Sequence, residues 1–337
     1  MKRAVVITAL TKNERGFPVT STRPYGALLV ANTPLLLHQL RAMGGASSVV
    51  LIATAENLSA LGKLANDRLA EPVTLIDVAE LDDVANALAT ASYLLPGDLL
   101  PLDALTPEGR LLLIEAKHES EEGGAAKALL ATLGLDDTPR LVVDALRLNY
   151  PWELLSANER VLEATVRENV LARDAVIEPG VTMKGAVHIG SGTVVKTGSY
   201  LEGPISLGAG CEIGPFCHLR PHTSIADGCR LGKTEVVDCV LFPNSTSKHV
   251  AYLGHSVVGE GVNIGAFTVT SDYRHDGGVH RTFVGERKVD TGRKKVGAFL
   301  GDNVRTGVGT LFYPGRKLWP RMTTLPGEIV THDKRGE

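Results

Sequence analysis

The sequence predicts two units: an α/β layer with a mostly parallel sheet, then a β-helix built from hexapeptide repeats. Two observations carry that expectation. Short apolar runs alternate with helical patterns through the first half, and from about residue 175 an apolar residue recurs at every sixth position. A length of 337 residues also favours two domains over one.

In chain order, AVVIT (4–8), SVVLIA (48–53), PVTLIDV (72–78), YLLPG (93–97), RLLLIEA (110–116) and RLVVDA (140–145) read as short buried strands. Between them, PLLLHQLRAMG and LSALGKLANDRLA carry apolar residues at helical spacing. That alternation is the pattern of a parallel sheet covered by helices. YPWELLSANERVLEATV (150–166) reads as an amphipathic helix with Pro151 in its first turn, where a missing N–H costs nothing.

The period then changes. Ile177, Met183, Ile189, Val195, Leu201, Leu207, Ile213, Leu219, Ile225, Leu231 and Val237 lie six residues apart, and all are aliphatic or Met. Neither a period of 3.6 nor one of 2 produces this, whereas stacked hexads that each bury one side chain do. Cys211, Cys217 and Cys229 fall four places after these residues, a slot filled elsewhere by small or β-branched side chains, so they read as packing residues. The register fails near Pro243 and resumes around Leu253, Val258 and Ile264. A long polar excursion at 272–295 follows, and a weaker beat returns at Leu300, Phe312, Leu318 and Val330, with Thr306 and Thr324 as polar members. Insertions in solenoids collect on one face, often the binding face. Domain limits of 1–166 and 167–337 follow from the change of period.

A net charge of −3 gives no electrostatic reason to expect nucleic acid or a membrane surface as partner. The four cysteines include no CxxC pair, and the N-terminus reads as a first strand rather than a leader, so a cytoplasmic protein with reduced thiols is expected. His249 and His255 lie one hexad apart, but no further ligand set accompanies them.

The loop LTKNER (10–15) sits where a phosphate cradle would follow the first strand, yet it contains no glycine and adds Glu14. PVTSTRPYGALLVANTPLLLHQL nevertheless resembles the opening of the sugar-1-phosphate nucleotidyltransferases. On that resemblance the family's glycines fall on Leu10, Thr11 and Asn13, its arginine on Arg15, and a phosphate-contacting lysine on Tyr25. YLLPGDLLPLDAL is similar to the strand whose aspartate holds catalytic Mg²⁺, which would be Asp98. Only some fifty residues separate Asp98 from Tyr150, where the family builds its sugar pocket from a longer stretch. The resemblance implies a shortened, Rossmann-like nucleotidyltransferase domain with its activity lost.

Residues 166–335 resemble the acetyltransferase domain of the archaeal-type bifunctional enzymes, relatives of the bacterial glucosamine-1-phosphate acetyltransferase/N-acetylglucosamine-1-phosphate uridyltransferase. KHVAYLGHSVVGEGVNIGAFTVTSDYRHDG (248–277) and KVDTGRKKVGAFLGDNVRTGVGT (288–310) carry the match. It implies a left-handed parallel β-helix, a homotrimer with active sites shared between neighbours, and acetyl-CoA as acyl donor to glucosamine- or galactosamine-1-phosphate. Acetyl transfer to an amine needs a base and an oxyanion donor. His249 falls on the family's base, Tyr252 and Asn263 on residues orienting the sugar phosphate and amine, the Ala266 N–H on the thioester donor, and Arg220 on a phosphate clamp.

The departures are as concrete. Val237-Asp238 replaces a lysine pair of the bacterial relatives, Asp272 stands where asparagine is usual, Gly278 replaces one lysine, and Arg281 roughly replaces another. Lys294, Lys295 and Arg305 either supply charge to coenzyme A or the sugar phosphate or form a solvated basic loop. Two other readings stay open: a sugar-1-phosphate nucleotidyltransferase with Mg²⁺ at Asp98 and the β-helix as oligomerisation domain, and a non-catalytic binder of a sugar nucleotide or CoA.

Overall fold

The computed structural model describes residues 145–336 without a break; before them it describes the strands given below, short pieces at 18–19, 29–35, 38–39, 57–58, 99–101, 131–133 and 137–138, and single positions. The loop 10–15, Tyr25 and Asp98 lie outside the described residues. The chain divides into two compact units, one holding Thr33–Asn149 with the first strand, the other Leu29–Asn32 and Tyr150–Glu337.

In the first unit, β1 (Ala4–Ala9), β2 (Val49–Ala53), β3 (Val73–Asp77), β4 (Ala91–Pro96), β5 (Leu112–Ala116) and β6 (Arg140–Val143) form one sheet. These are the six apolar runs of the sequence, and their order is 3-2-1-4-5-6. Every pairing is parallel, from Val5 opposite Val49 to Glu115 opposite Val142. Strand order reverses between β1 and β4, the place where doubly wound sheets open a ligand crevice at their carboxyl ends.

The second unit begins with α1 (Pro151–Thr165). Proline occupies its first turn, and the Glu153 carboxylate accepts the Tyr150 N–H at 2.9 Å, closing the exposed helix start. Its buried face carries Trp152, Leu155 and Leu162, and buried Asn158 donates to the His222 carbonyl at 2.8 Å while accepting from Ser224 Oγ at 2.8 Å. These polar contacts fix the helix on one face of the solenoid that follows.

The solenoid is a parallel β-helix with three sheets. One runs through eight strands from Val170–Leu171 to Lys317–Leu318, and another through eight from Thr182–Lys184 to Ile329–Val330. The third runs from Val176–Ile177 to Thr246–Ser247 and continues as single bridges through Asn263, Arg305 and Thr323. Val176 pairs with Val194 and Val194 with Glu212, a coil of 18 residues, or three hexads. The hexad residues from Val195 to Leu231 are buried in one continuous core with Leu253, Val258, Ile264, Leu300, Phe312, Leu318 and Val330. Cys211, Cys217, Cys229 and Cys239 are all buried and free, and burial pushes the Cys229 thiol up to about 12.

One member of the expected ladder is corrected. Val236, fully buried, points inward, and Val237 is only half-buried. The cause is a shortened coil: His218 pairs with Glu235 and Ser224 with Val240, so one residue is missing at each of two corners. Those deletions, rather than a break at Pro243, account for the lost register. Thr306 meets Thr268 at 2.9 Å and Thr324 meets Thr310 at 2.6 Å, so each polar member of the beat has a buried hydroxyl partner.

The polar excursion is not a structureless loop. β10 (Arg281–Val284) and β11 (Arg287–Asp290) form an antiparallel hairpin, numbered after the solenoid strands β7 (Thr234–Val237), β8 (Ala251–Gly254) and β9 (Val269–Thr270). Lys317 ties the hairpin down. It is 2% exposed, and its Nζ donates to Thr282 Oγ1 at 2.7 Å and to the Phe283 carbonyl at 2.6 Å.

Candidate functional site

Strand β8 and the corner before it hold two of the candidate residues, Tyr252 and His249. His249 is exposed on that corner, and its carbonyl accepts from Thr234 Oγ1 at 3.1 Å. In the next coil, the Phe267 N–H donates to the Val250 carbonyl at 2.6 Å, which puts Ala266 in register with His249. Adjacent strands lie about 4.8 Å apart, so the two positions are neighbours along one edge. The Ala266 N–H has no hydrogen-bond partner among the described residues, and its carbonyl accepts from Gly309. Asn263, also exposed, stands between Thr246 and Arg305 in adjoining coils, and its Oδ1 accepts from Thr246 Oγ1 at 2.8 Å. Its amide NH₂ is left to face outward.

Alternation along β8 buries Leu253 and turns Tyr252 and Gly254 outward. Tyr252 leans over Gly254, and its hydroxyl donates to Asp272 Oδ2 at 2.9 Å. His255 Nδ1 lies 2.7 Å from the same oxygen. Burial acts to raise the Asp272 pKa, but the hydrogen bond and charge of His255, with Tyr252 and Lys295, outweigh it and hold the carboxyl below its usual range. An ionised carboxylate only accepts, so Nδ1 of His255 carries the proton. Burial, then the Asp272 charge, pushes the Tyr252 phenol up.

Behind this trio lies a second, more buried cluster. His255 Nε2 is 3.8 Å from Asp238 Oδ2, and Asp238 is 4% exposed. Arg293 binds Asp238, Glu159 at 2.6 Å and Ser156 at 2.8 Å, linking α1 to the coil of β7. Two carboxylates share one guanidinium, and burial pushes the Asp238 carboxyl up to about 8, while Glu159 stays below its ordinary range.

The cationic candidates are less concentrated. Arg220 Nη1 donates to Glu235 at 3.1 Å, and Glu235 stands opposite Tyr252 in the β7–β8 register. Lys295 is exposed, and its backbone bridges Tyr273, next to Asp272. Arg281 faces Asp290 at 3.8 Å within the hairpin, and Lys294 and Arg305 are exposed. Thus Tyr252 and Asp272 touch, His249 and Ala266 share a register, Asn263 and Arg305 share a column, and no contact joins Arg281 or Lys294 to the rest among the described residues. An open cleft of about 700 Å³ lies on another edge, lined by Asn244, Glu260, Asp302 and Arg321 among others. None of the candidate residues lines it, and its two carboxylates suit an anionic ligand poorly.

Arg293 and Gly254 are the residues that sequence reasoning passed over, while His255 was read only against a metal site and Asp238 only as a departure from a lysine pair. The available signal was spacing: His255 and Asp272 are one coil of 17 residues apart, the offset that also pairs Tyr252 with Val269. No helix among the described residues is long and apolar enough to cross a membrane.

No family model matches the chain. A "Bifunctional protein GlmU" of Methanococcus maripaludis (strain C7) is 46% identical over 172 residues, 51% of this chain and 41% of that protein. A "Bifunctional sugar-1-phosphate nucleotidylyltransferase/acetyltransferase" of Sulfurisphaera tokodaii is 36% identical over 99 residues, 29% of this chain and 25% of the relative. A "Bifunctional protein GlmU" of Sphingopyxis alaskensis is 30% identical over 265 residues, 78% of this chain and 50% of the relative. The chain therefore matches half or less of the length of each of these relatives.

Proposed function

The chain is related to the bifunctional sugar-1-phosphate nucleotidyltransferase/acetyltransferases, and from that kinship we propose that its solenoid is an acetyl-CoA-dependent N-acetyltransferase for an amino-sugar 1-phosphate. The observation that carries the reading is the pairing of an exposed imidazole, His249, with an unpartnered N–H, Ala266, one coil away on the same edge.

In this reaction His249 removes a proton from the substrate ammonium. The freed amine attacks the thioester carbonyl, whose developing oxyanion is met by the Ala266 N–H. The C–S bond then breaks, the departing thiolate takes the proton back from the imidazolium, and the new amide nitrogen gives up its remaining extra proton to solvent. A positioned base of this kind is worth about 10²–10⁴ in rate, and a single oxyanion donor on the order of 10²–10³. Asn263 presents amide N–H groups to the acceptor sugar. Arg220, with Arg281 or Lys295, binds the phosphate, and Lys294 and Arg305 serve the phosphates of coenzyme A.

The active form is a homotrimer in this reading. Phe216, Val250, Phe267, Val308 and Leu325 are exposed apolar side chains on the corner that carries His249, and such a strip on a monomer marks an interface. A neighbour packed there completes the site. The proposed setting is the cytoplasm, as for other enzymes that draw on acetyl-CoA.

A second reading, nucleotidyl transfer with Mg²⁺, draws support from the strand order 3-2-1-4-5-6, because the candidate loop and Asp98 follow β1 and β4 directly in sequence, at the reversal. The missing glycines between Leu10 and Arg15 weigh against turnover there. A paired assay separates the readings. One arm follows thiol release from acetyl-CoA with glucosamine 1-phosphate or galactosamine 1-phosphate; the other follows pyrophosphate release from UTP or dTTP with sugar 1-phosphates and Mg²⁺. Thiol release alone is expected, and pyrophosphate release alone would overturn the proposal. Silence in both arms would favour a non-catalytic binder.

A further inference from the structure

We propose that His255 is a positioning residue that fixes Tyr252 as a hydrogen-bond acceptor toward the substrate, and so makes this face of β8 selective for an ammonium-bearing acceptor. The inference deepens the acetyl-transfer reading and rests on it for the identity of the acceptor.

The argument starts from one shared oxygen. Asp272 Oδ2 receives Tyr252 Oη at 2.9 Å and His255 Nδ1 at 2.7 Å. A neutral phenol has one proton, and here that proton is spent on the carboxylate. Tyr252 therefore offers a ligand only its oxygen lone pairs. A group without hydrogen to donate, such as a phosphate or an amide carbonyl, finds no partner on it. An ammonium finds an acceptor with a carboxylate directly behind it.

His255 is what makes this arrangement single-valued. It is 8% exposed, and it directly follows Gly254, whose missing side chain clears space for the Tyr252–Asp272 bond. Without its N–H, a half-buried carboxylate would be left with the phenol alone, and the side chain would be free to turn toward Lys295 or solvent. The imidazole is itself held from behind, with Nε2 facing Asp238, which Arg293 anchors to Ser156 and Glu159 of α1. The chain of contacts from α1 to Tyr252 is thus continuous: helix, Arg293, Asp238, His255, Asp272, phenol. Asp238 and Asp272 flank the imidazole on both nitrogens, an arrangement in which neither carboxylate can approach the other.

The spacing of donors also explains why a carboxylate at 272 is tolerated near a site that must accept a sugar phosphate. Its charge is compensated locally by His255 and Lys295, and the phenol stands between it and the outer face of β8. Phosphate recognition falls instead to Arg220, which donates to Glu235, the residue opposite Tyr252 in the adjoining coil.

The test uses the full-length protein and two substitutions at one position. His255→Leu removes the Nδ1 donor; His255→Asn keeps an amide N–H at nearly the same place. Calorimetric titration with glucosamine 1-phosphate and with glucose 1-phosphate reads selectivity without requiring turnover, and thiol release gives KM and kcat beside it. The wild type should bind the amino sugar at least about tenfold more tightly, as expected for one charge-assisted hydrogen bond. His255→Leu should lose most of that preference and raise KM for the amino sugar more than it lowers kcat, and His255→Asn should restore both. Tyr252→Phe should lose the preference with His255 intact. Equal binding of the two sugars by the wild type, or unchanged selectivity in a folded His255→Leu variant, would overturn the inference; so would failure of His255→Asn to rescue while remaining folded. Amine-selective binding with no thiol release would uphold it and remove the acetyl-transfer reading instead.

Discussion

A Cβ placed on Gly254 would lie 2.4 Å from Asp272 Oδ2, closer than any real contact, so Gly254 is the opening through which Asp272 reaches across the coil. The same Cβ would lie 2.6 Å from the Tyr252 hydroxyl. A glycine within a strand often marks a close approach of this kind, and here the approach is between two candidate site residues.

Gly254→Ala is therefore expected to separate Tyr252 from Asp272. Overpacking of this sort costs about 1–3 kcal/mol, and the amino-sugar KM should rise with it. Urea denaturation beside steady-state kinetics measures both. Wild-type stability together with wild-type kinetics would show that the two side chains do not need this space.

The inward register makes a sharp contrast between adjacent valines. Val236→Ala should destabilise by about 1.5–3 kcal/mol, the worth of a buried aliphatic side chain, whereas Val237→Ala should stay near 0.5 kcal/mol or less. Reversed magnitudes in a denaturant titration would mean that the coil is not shortened where the pairing of His218 with Glu235 puts it.

Stability should fall as pH rises through neutrality. Burial holds the Asp238 carboxyl at about 8 against an ordinary 3.8, so the native state keeps a proton that the unfolded chain gives up. That contribution is complete below about pH 4 and is lost as pH climbs through 8, with a slope no steeper than about 1.4 kcal/mol per pH unit. Asp238→Asn should flatten the profile between pH 5 and 8. A variant that keeps the full slope would assign it to other groups.

Association should depend on the apolar corner. Phe267→Asp, alone or with Leu325→Asp, is expected to leave a monomer in sedimentation experiments where the wild type forms the proposed trimer, and to reduce turnover in parallel. A wild-type protein that sediments as a monomer at assay concentration, yet turns over, would show that no neighbour is needed.

Much of this architecture was legible because both units announce a period. The six strands of the first sheet are short, mostly apolar runs, and the solenoid core repeats every sixth residue until the coil shortens. The slip at Val236 was not legible, since a one-residue deletion at a corner leaves no mark except a shifted phase. The hairpin at 281–290 was hidden for another reason: Thr282 packs inward against Lys317, while Arg281, Glu286, Arg287, Lys288 and Asp290 make its composition read as loop. The site divided along similar lines. His249, Tyr252 and Asn263 lie in one stretch of matching sequence. Asp238, Arg293 and His255 become partners only when coils stack, across 55 residues in the case of Arg293 and Asp238.

The central claim is that His249 is the base of an acetyl transfer on the solenoid. The most direct measurement is the initial rate of thiol release from acetyl-CoA with glucosamine 1-phosphate and galactosamine 1-phosphate, for the wild type and His249→Ala. His249 is exposed, and only its backbone carbonyl is used by the fold, so the variant should keep its melting temperature. A loss of about 10²–10⁴ in rate with the fold intact is the predicted result. Equal rates from the two proteins, or no thiol release from the wild type with either sugar, would contradict it.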